Sequence, residues 1–237
     1  MKHIFFESID STNTYLKNNY SSLDDMVFVS ADYQTAGKGR NDRNWSSSKG
    51  KNLMFSLLLK DPKKINHYKA ISIVSAYSIV KVLESYGIKD LKIKWPNDVY
   101  VGDDKICGIL LEAVSSNTVE CLIVGVGLNV NEKLFEGEYL HRPISMYQIL
   151  SSETDIRKLK EDVFKEFENN IESLTEGHDF YDEIVRYDYL QGKEVYTILN
   201  NEKKKIKVLG IAEDYSLKIQ DGGTIRSIES GEITFHV

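Results

Sequence analysis

The chain has 237 residues, 41% of them hydrophobic, enough for one substantial domain plus a small one, and this excludes a disordered or low-complexity protein. With 36 acidic and 30 basic side chains its formal net charge is −6, so global attraction to nucleic acid or an anionic membrane is not expected and an anion site must be a local concentration of cations. The N-terminus enters Ile4-Phe5-Phe6 without the apolar core of a secretion signal, no run approaches the roughly 20 residues of a membrane span, and a cytoplasmic location is the expectation.

In chain order, residues 2–7 read as a strand, and Asp10, Ser11 or Thr12 caps a short helix running to about Tyr20. Val27–Tyr33 is the next strand, and a long loop rich in glycine and serine follows to Lys51. Leu53–Leu59 is an apolar run of strand length, after which Asn66–Tyr86 carries Ile71, Val74, Ile79, Val82 and Leu83 at helical spacing. Lys92–Trp95, Val99–Val101, Ile106–Ala113 and Val119–Val126 read as strands, with Gly102-Asp103-Asp104 as a turn. Composition shifts after Asn131. Residues 155–176 form a charged helix with Leu159, Val163, Phe167, Ile171 and Leu174 as its apolar stripe. From Lys193 the pattern becomes short strands split by turns: Val195–Leu199, Ile206–Ala212, Leu217–Gln220, Thr224–Ile228 and Glu232–Val237. The expected assembly is a mixed, largely antiparallel sheet with helices packed on it, plus a small antiparallel barrel.

Cys107 and Cys121, both inside apolar runs, are too few for a disulfide framework and read as buried free thiols. Histidines at 3, 67, 141, 178 and 236 lack ligand spacing, so no zinc site or histidine-based nucleophile is expected and no metal ligand is assigned. The loop Gln34–Trp45 is the strongest local signal. It holds Gly37 and Gly39, the cations Lys38, Arg40 and Arg43, and Trp45, a combination suited to a nucleoside triphosphate: glycine N–H groups as an anion nest, charge for phosphate, an indole face for a purine. The same composition also fits a basic surface loop whose Trp45 packs into the core. A second cluster, Lys94-Trp95-Pro96-Asn97-Asp98 followed by Lys105-Ile106-Cys107-Gly108, ends one apolar run and opens another across a hairpin-like turn.

Together with Asp10-Ser11-Thr12-Asn13 and Gly125-Val126-Gly127-Leu128-Asn129, these segments resemble the catalytic domain of biotin protein ligases, or biotin–[acetyl-CoA-carboxylase] ligases, in the family's order from about Phe5 to the C-terminus. The resemblance implies an α+β, class II synthetase-like biotin/lipoate ligase fold over residues 1–188 and an SH3-like barrel over 189–237. The implied reaction joins biotin to ATP as biotinyl-5′-AMP, with Mg²⁺ held largely by phosphate oxygens and water, and then moves biotin to a lysine of a biotin carboxyl carrier domain. Such chemistry asks for fixed cations and backbone donors. By resemblance Lys105, Arg40, Lys94 and Asp98 are catalytic: Lys105 contacts the carboxylate and α-phosphate, Asp98 orients Lys105, and Lys94 and Arg40 lie near the phosphates, with Arg43 assisting. Trp45, Asn97 and Asn129 match the adenine end, with Lys38 and Gly39 also on the nucleotide. Ser11, Thr12, Asn13 and Gln34 match the polar groups around biotin, Gly37, Gly108 and Gly125 let backbone approach, and Lys38, Arg40 and Lys105 border the same ligand. Taken singly, each has a plainer reading, among them helix capping for Ser11 and Thr12, an exposed strand lysine for Lys105 and core packing for Trp95.

Two positions depart from the family pattern: Lys38 stands where many relatives have arginine, and Asp42 where the loop often has a third glycine, so altered loop ordering or nucleotide affinity is expected. The family motifs begin within the first dozen residues, which leads to the expectation of a monofunctional ligase without an N-terminal DNA-binding module or nucleic-acid partner. A homodimer through a sheet edge is an option that the sequence leaves open. Two other functions are weighed: a lipoate or octanoyl protein ligase, against which the Lys-Trp-Pro-Asn-Asp block speaks, and a non-catalytic biotin sensor, against which the retained cations speak.

Overall fold

A seven-stranded sheet organises the molecule. The computed structural model describes residues 2–41, 43–137, 139–199, 202–229, 231, 233 and 235. In chain order the elements of the larger unit are β1 (Lys2–Phe6), α1 (Thr12–Asn19), β2 (Val27–Ala31), β3 (Leu53–Leu59), α2 (Pro62–Ile65), α3 (Tyr68–Ser85), β4 (Leu91–Lys94), β5 (Asp98–Val101), β6 (Asp104–Ser115), β7 (Val119–Leu128), α4 (Met146–Leu150), α5 (Ile156–Thr175) and α6 (Tyr181–Ile184). The strand order is β1-β2-β3-β7-β6-β5-β4; β1 and β2 are parallel and every other pair is antiparallel.

Every residue of β2 and β3 is buried, because helices cover the sheet on both faces. On one face α3 and α5 pack together, and Phe28 stacks on Phe164 at 4.2 Å while Phe55 meets Phe167 edge-on at 5.3 Å. The expected stripe of α5, Leu159 to Leu174, is buried to the last residue, each such side chain contributing about 1.5–3 kcal/mol relative to exposure. On the other face lies α1, whose Ser11 caps it by accepting from the Thr14 amide.

Strands β8 (Glu194–Leu199), β9 (Glu202–Ile211), β10 (Leu217–Asp221) and β11 (Thr224–Ile228) form a separate antiparallel sheet in the order β11-β10-β9-β8. Of the expected closing strand 232–237, residues 232, 234, 236 and 237 lie outside the described residues, as do Ser230 and Asp42. The small sheet is fastened to the large one: Trp95 Nε1 donates to the Tyr215 carbonyl at 2.9 Å and the Tyr189 amide to the Ile93 carbonyl at 3.0 Å. Val195, Ile206, Val208 and Leu217 share one continuous core with β3, β7 and α3.

Three short helices were not expected. The clearest, α4, has a signature in the sequence, since Ser145 and Gln148 form a reciprocal capping box. β2 stops at Ala31, short of Tyr33, where its ladder with β3 ends at the Ala31–Met54 pair. Cys107 and Cys121 are buried and unpaired, and burial pushes the Cys107 thiol well up. Among the described residues no helix is long and apolar enough to cross a membrane.

Candidate active site

A cavity of about 230 Å³ opens on the sheet between β6, β7 and α1, lined also by Gln34, residues 38–41 and 43–46, Phe135, Tyr139, Leu140, His141, Pro143 and Ile233. Ser11, Thr12, Asn13, Gln34, Lys38, Gly39, Arg40, Arg43, Trp45, Lys94, Asn97, Asp98, Lys105, Gly108, Gly125 and Asn129 all line it. Of the expected site residues only Gly37 does not: it is buried, and a β-carbon there would overlap the Trp45 carbonyl, so its missing side chain serves the loop's own closure.

That loop is a small hairpin. The Trp45 amide donates to Gly37 O at 2.9 Å and the Gly39 amide to Arg43 O at 2.7 Å, so the Gly39 N–H is paired within the hairpin and is not the open anion donor expected of it. The hairpin carries Trp45 across β7 and β6. A β-carbon at Gly127 would overlap the indole, and one at Gly108 would stand 3.0 Å from both Trp45 Cζ3 and Lys105 Nζ; these glycines are therefore a slot for side chains of this chain. Trp45 Nε1 is buried there without a partner.

One end of the cavity is charged. Lys105 on β6 holds its Nζ 2.8 Å from Asp98 Oδ1 on β5, the pairing expected across the hairpin; it is an ion pair that lacks hydrogen-bond alignment, since Asp98 Oδ1 has no hydrogen-bond partner. Arg40 donates to Asn97 Oδ1 at 2.9 Å and to the Gly231 carbonyl at 2.7 Å. Asn97 also donates to Ile109 O at 2.6 Å, and Asn129 to Ile144 O at 3.1 Å, so both carboxamides are engaged with the protein. Lys94 is 3% exposed, and its Nζ lies 3.0 Å from His141 Nε2 and 5.7 Å from the Tyr100 ring. Burial first, and the Lys94 charge second, lower the His141 pKa to about 4, so the imidazole is neutral and accepts from the ammonium.

The other end is neutral and more completely hydrogen-bonded. The Thr12 amide donates to Gln34 Oε1 at 2.7 Å, and the Thr12 hydroxyl lies 2.6 Å from Ser56 Oγ. Ser56 donates to Asn13 Oδ1 at 2.5 Å, and Asn13 Nδ2 donates to Glu112 Oε2 at 2.7 Å. Gly125 was expected to admit backbone close to a ligand; instead Asn13 occupies the space a side chain would take there. Phe55, Ile109 and Val126 supply the apolar wall. Sequence reasoning missed Ser56, Glu112 and His141. Glu112 had a signal, standing in phase with Gly108 and Leu110 on the same face of β6.

The model of the biotin/lipoate A/B protein ligase family matches residues 5–129. The bifunctional ligase/repressor of Escherichia coli is 27% identical over 230 residues, 95% of this chain and 71% of that protein. A biotin–[acetyl-CoA-carboxylase] ligase of Paracoccus denitrificans is 34% identical over 124 residues, covering 51% of each chain. The structure of a biotin protein ligase from Aquifex aeolicus in complex with biotin and ATP superposes with a TM-score of 0.87 at 31% identity, covering 98% of this chain and 97% of that one.

Proposed function

The chain belongs to the biotin/lipoate A/B protein ligase family, and from that premise we propose that it is a biotin protein ligase, which activates biotin as biotinyl-5′-AMP and transfers it to one lysine of a biotin carboxyl carrier domain. The observation that carries this reading is the division of one cavity into a charged end built from Lys105, Lys94, Arg40 and Asp98 and a neutral end built from Thr12, Asn13 and Gln34. A cyclic urea with an aliphatic acid asks for such a pairing, donors and acceptors at the ring and cations where the carboxylate meets phosphate.

In the first half-reaction a biotin carboxylate oxygen attacks the α-phosphorus of ATP, the bond from that phosphorus to the bridging oxygen breaks, and pyrophosphate leaves. Lys105 stabilises the charge building at the carboxylate and α-phosphate, while Arg40 and Lys94 offset that of the leaving group. In the second half-reaction a carrier lysine attacks the anhydride carbonyl, AMP leaves, and Asp98 takes up the proton that the amine sheds. Mg²⁺ would enter with the triphosphate, held largely by its oxygens and water, and would offset charge on the phosphates. The two buried free thiols support a cytoplasmic setting.

The test is ATP–pyrophosphate exchange with biotin and lipoate in parallel, with Lys105→Ala as the control for contaminating ligase. Biotin-dependent exchange that disappears in the variant is the expected result. Exchange with lipoate alone makes the protein a lipoate ligase, and tight biotin binding without exchange makes it a sensor.

A further inference from the structure

Two oxygen–oxygen contacts at the neutral end are so short that each must contain a proton: Asn13 Oδ1 to Ser56 Oγ at 2.5 Å and Ser56 Oγ to Thr12 Oγ1 at 2.6 Å. A third is longer: Gln34 Oε1, at 3.1 Å, is also within donating reach of Thr12 Oγ1, so the single Thr12 proton has two candidate acceptors and the shorter contact, to Ser56, takes it. Only two hydroxyl protons serve these three contacts, because a serine and a threonine carry one each. Their distribution is decided outside the cavity. The Glu112 carboxylate accepts from Asn13 Nδ2 at 2.7 Å, which fixes the carboxamide with Oδ1 towards Ser56. Ser56 must then donate to Asn13, and Thr12 must donate to Ser56. No proton remains between Thr12 Oγ1 and Gln34 Oε1, whose own orientation is fixed by the Thr12 amide at 2.7 Å.

We propose that Glu112, which does not line the cavity, is a positioning residue that sets the direction of this Asn13–Ser56–Thr12 relay and so presents Thr12 Oγ1 and Gln34 Oε1 as a pair of adjacent acceptors for a ligand N–H. The inference rests on the biotin reading and deepens it: a ureido N–H satisfies both oxygens, whereas a ring without N–H leaves two lone-pair-bearing oxygens facing each other at 3.1 Å. Ligand class is thereby selected by a carboxylate that never touches the ligand. Gly125 belongs to the same device, since its missing side chain is what seats the Asn13 carboxamide.

The test is a proton-direction swap read by calorimetric titration of biotin. In Glu112→Gln the residue at 112 presents either an acceptor or a donor, Asn13 can turn over, and the relay loses its direction; biotin affinity is expected to fall about tenfold. Adding Asn13→Asp restores the direction, because the new carboxylate can only accept from Ser56 while the glutamine donates to it; the double variant is expected to recover to within about threefold of the unaltered protein. Affinity unchanged in Glu112→Gln overturns the proposal, and so does a double variant as weak as the single one, the outcome of a merely structural role. Should Glu112→Gln not fold, Ser56→Ala cuts the same relay and carries the same expected loss, with unchanged affinity again the contrary result. Failure of the underlying reading is distinct: the unaltered protein then binds no biotin at all.

Discussion

The two ends of the cavity are built on opposite terms. At the neutral end nearly every polar atom is matched before any ligand arrives, through Glu112, Asn13, Ser56, Thr12 and Gln34 in sequence. At the charged end Lys94 and Lys105 crowd one carboxylate and one neutral imidazole, and Asp98 Oδ1 and Trp45 Nε1 remain without hydrogen bonds. Recognition of an uncharged ring rewards a preorganised surface, whereas charge that appears only during reaction rewards groups held ready and incompletely matched. On the proposed function, selectivity would reside in the α1–β3–β6 relay and rate on the β5–β6 hairpin and its covering loop.

The sharpest break in this division is Lys105→Ala. Removing the cation at the reacting carboxylate is expected to lower biotin-dependent exchange by about 10²–10³-fold or more, with biotin affinity much less affected. Single-turnover adenylation measured beside direct binding separates the two.

Next come paired glycine substitutions on β7, whose effects are expected to fall on different substrates. Gly127→Ala places a methyl where the Trp45 indole lies and Gly125→Ala places one where Asn13 lies. The first is expected to raise the KM for ATP, and the second that for biotin, each by about tenfold to a hundredfold. Equal effects of both variants on both substrates would erase the distinction between the ends.

A smaller effect concerns the support under the charged end. Trp95→Phe removes the hydrogen bond to Tyr215 O that fastens the small sheet beside Lys94, and is expected to cost about 1 kcal/mol of stability, read as a lower denaturation midpoint. The smallest is a pH dependence. His141 has a folded-state pKa of about 4 against an ordinary 6.5, so between those values the unfolded chain binds the additional proton and stability falls as pH drops through that window. His141→Gln is expected to flatten the decline in melting temperature from pH 6.5 to 4 while leaving the behaviour above pH 7 in place.

Much of the fold was legible because its signals are periodic. The stripe of α5 and the continuous apolar runs of β3 and β7 announce burial directly, and the Asp98–Lys105 pair follows from a hairpin with a glycine turn. The contributors to the site that were missed act across strands. Ser56 meets Asn13 only because β3 runs beside β7 beneath α1, and His141 reaches Lys94 only because the segment after Lys105 returns as a parallel bridge at Pro143. No spacing along one strand records such contacts. The glycines teach the same lesson: sequence marks Gly125 and Gly127 as places of close approach, and the fold decides that Asn13 and Trp45 do the approaching.

The most direct test of the account is intact-mass measurement of a biotin carboxyl carrier domain incubated with the protein, biotin, ATP and Mg²⁺. The expected result is the gain of one biotinyl group on a single lysine, dependent on ATP and lost with Lys105→Ala. A carrier that gains no mass under those conditions, or is modified equally well by the variant, would contradict it.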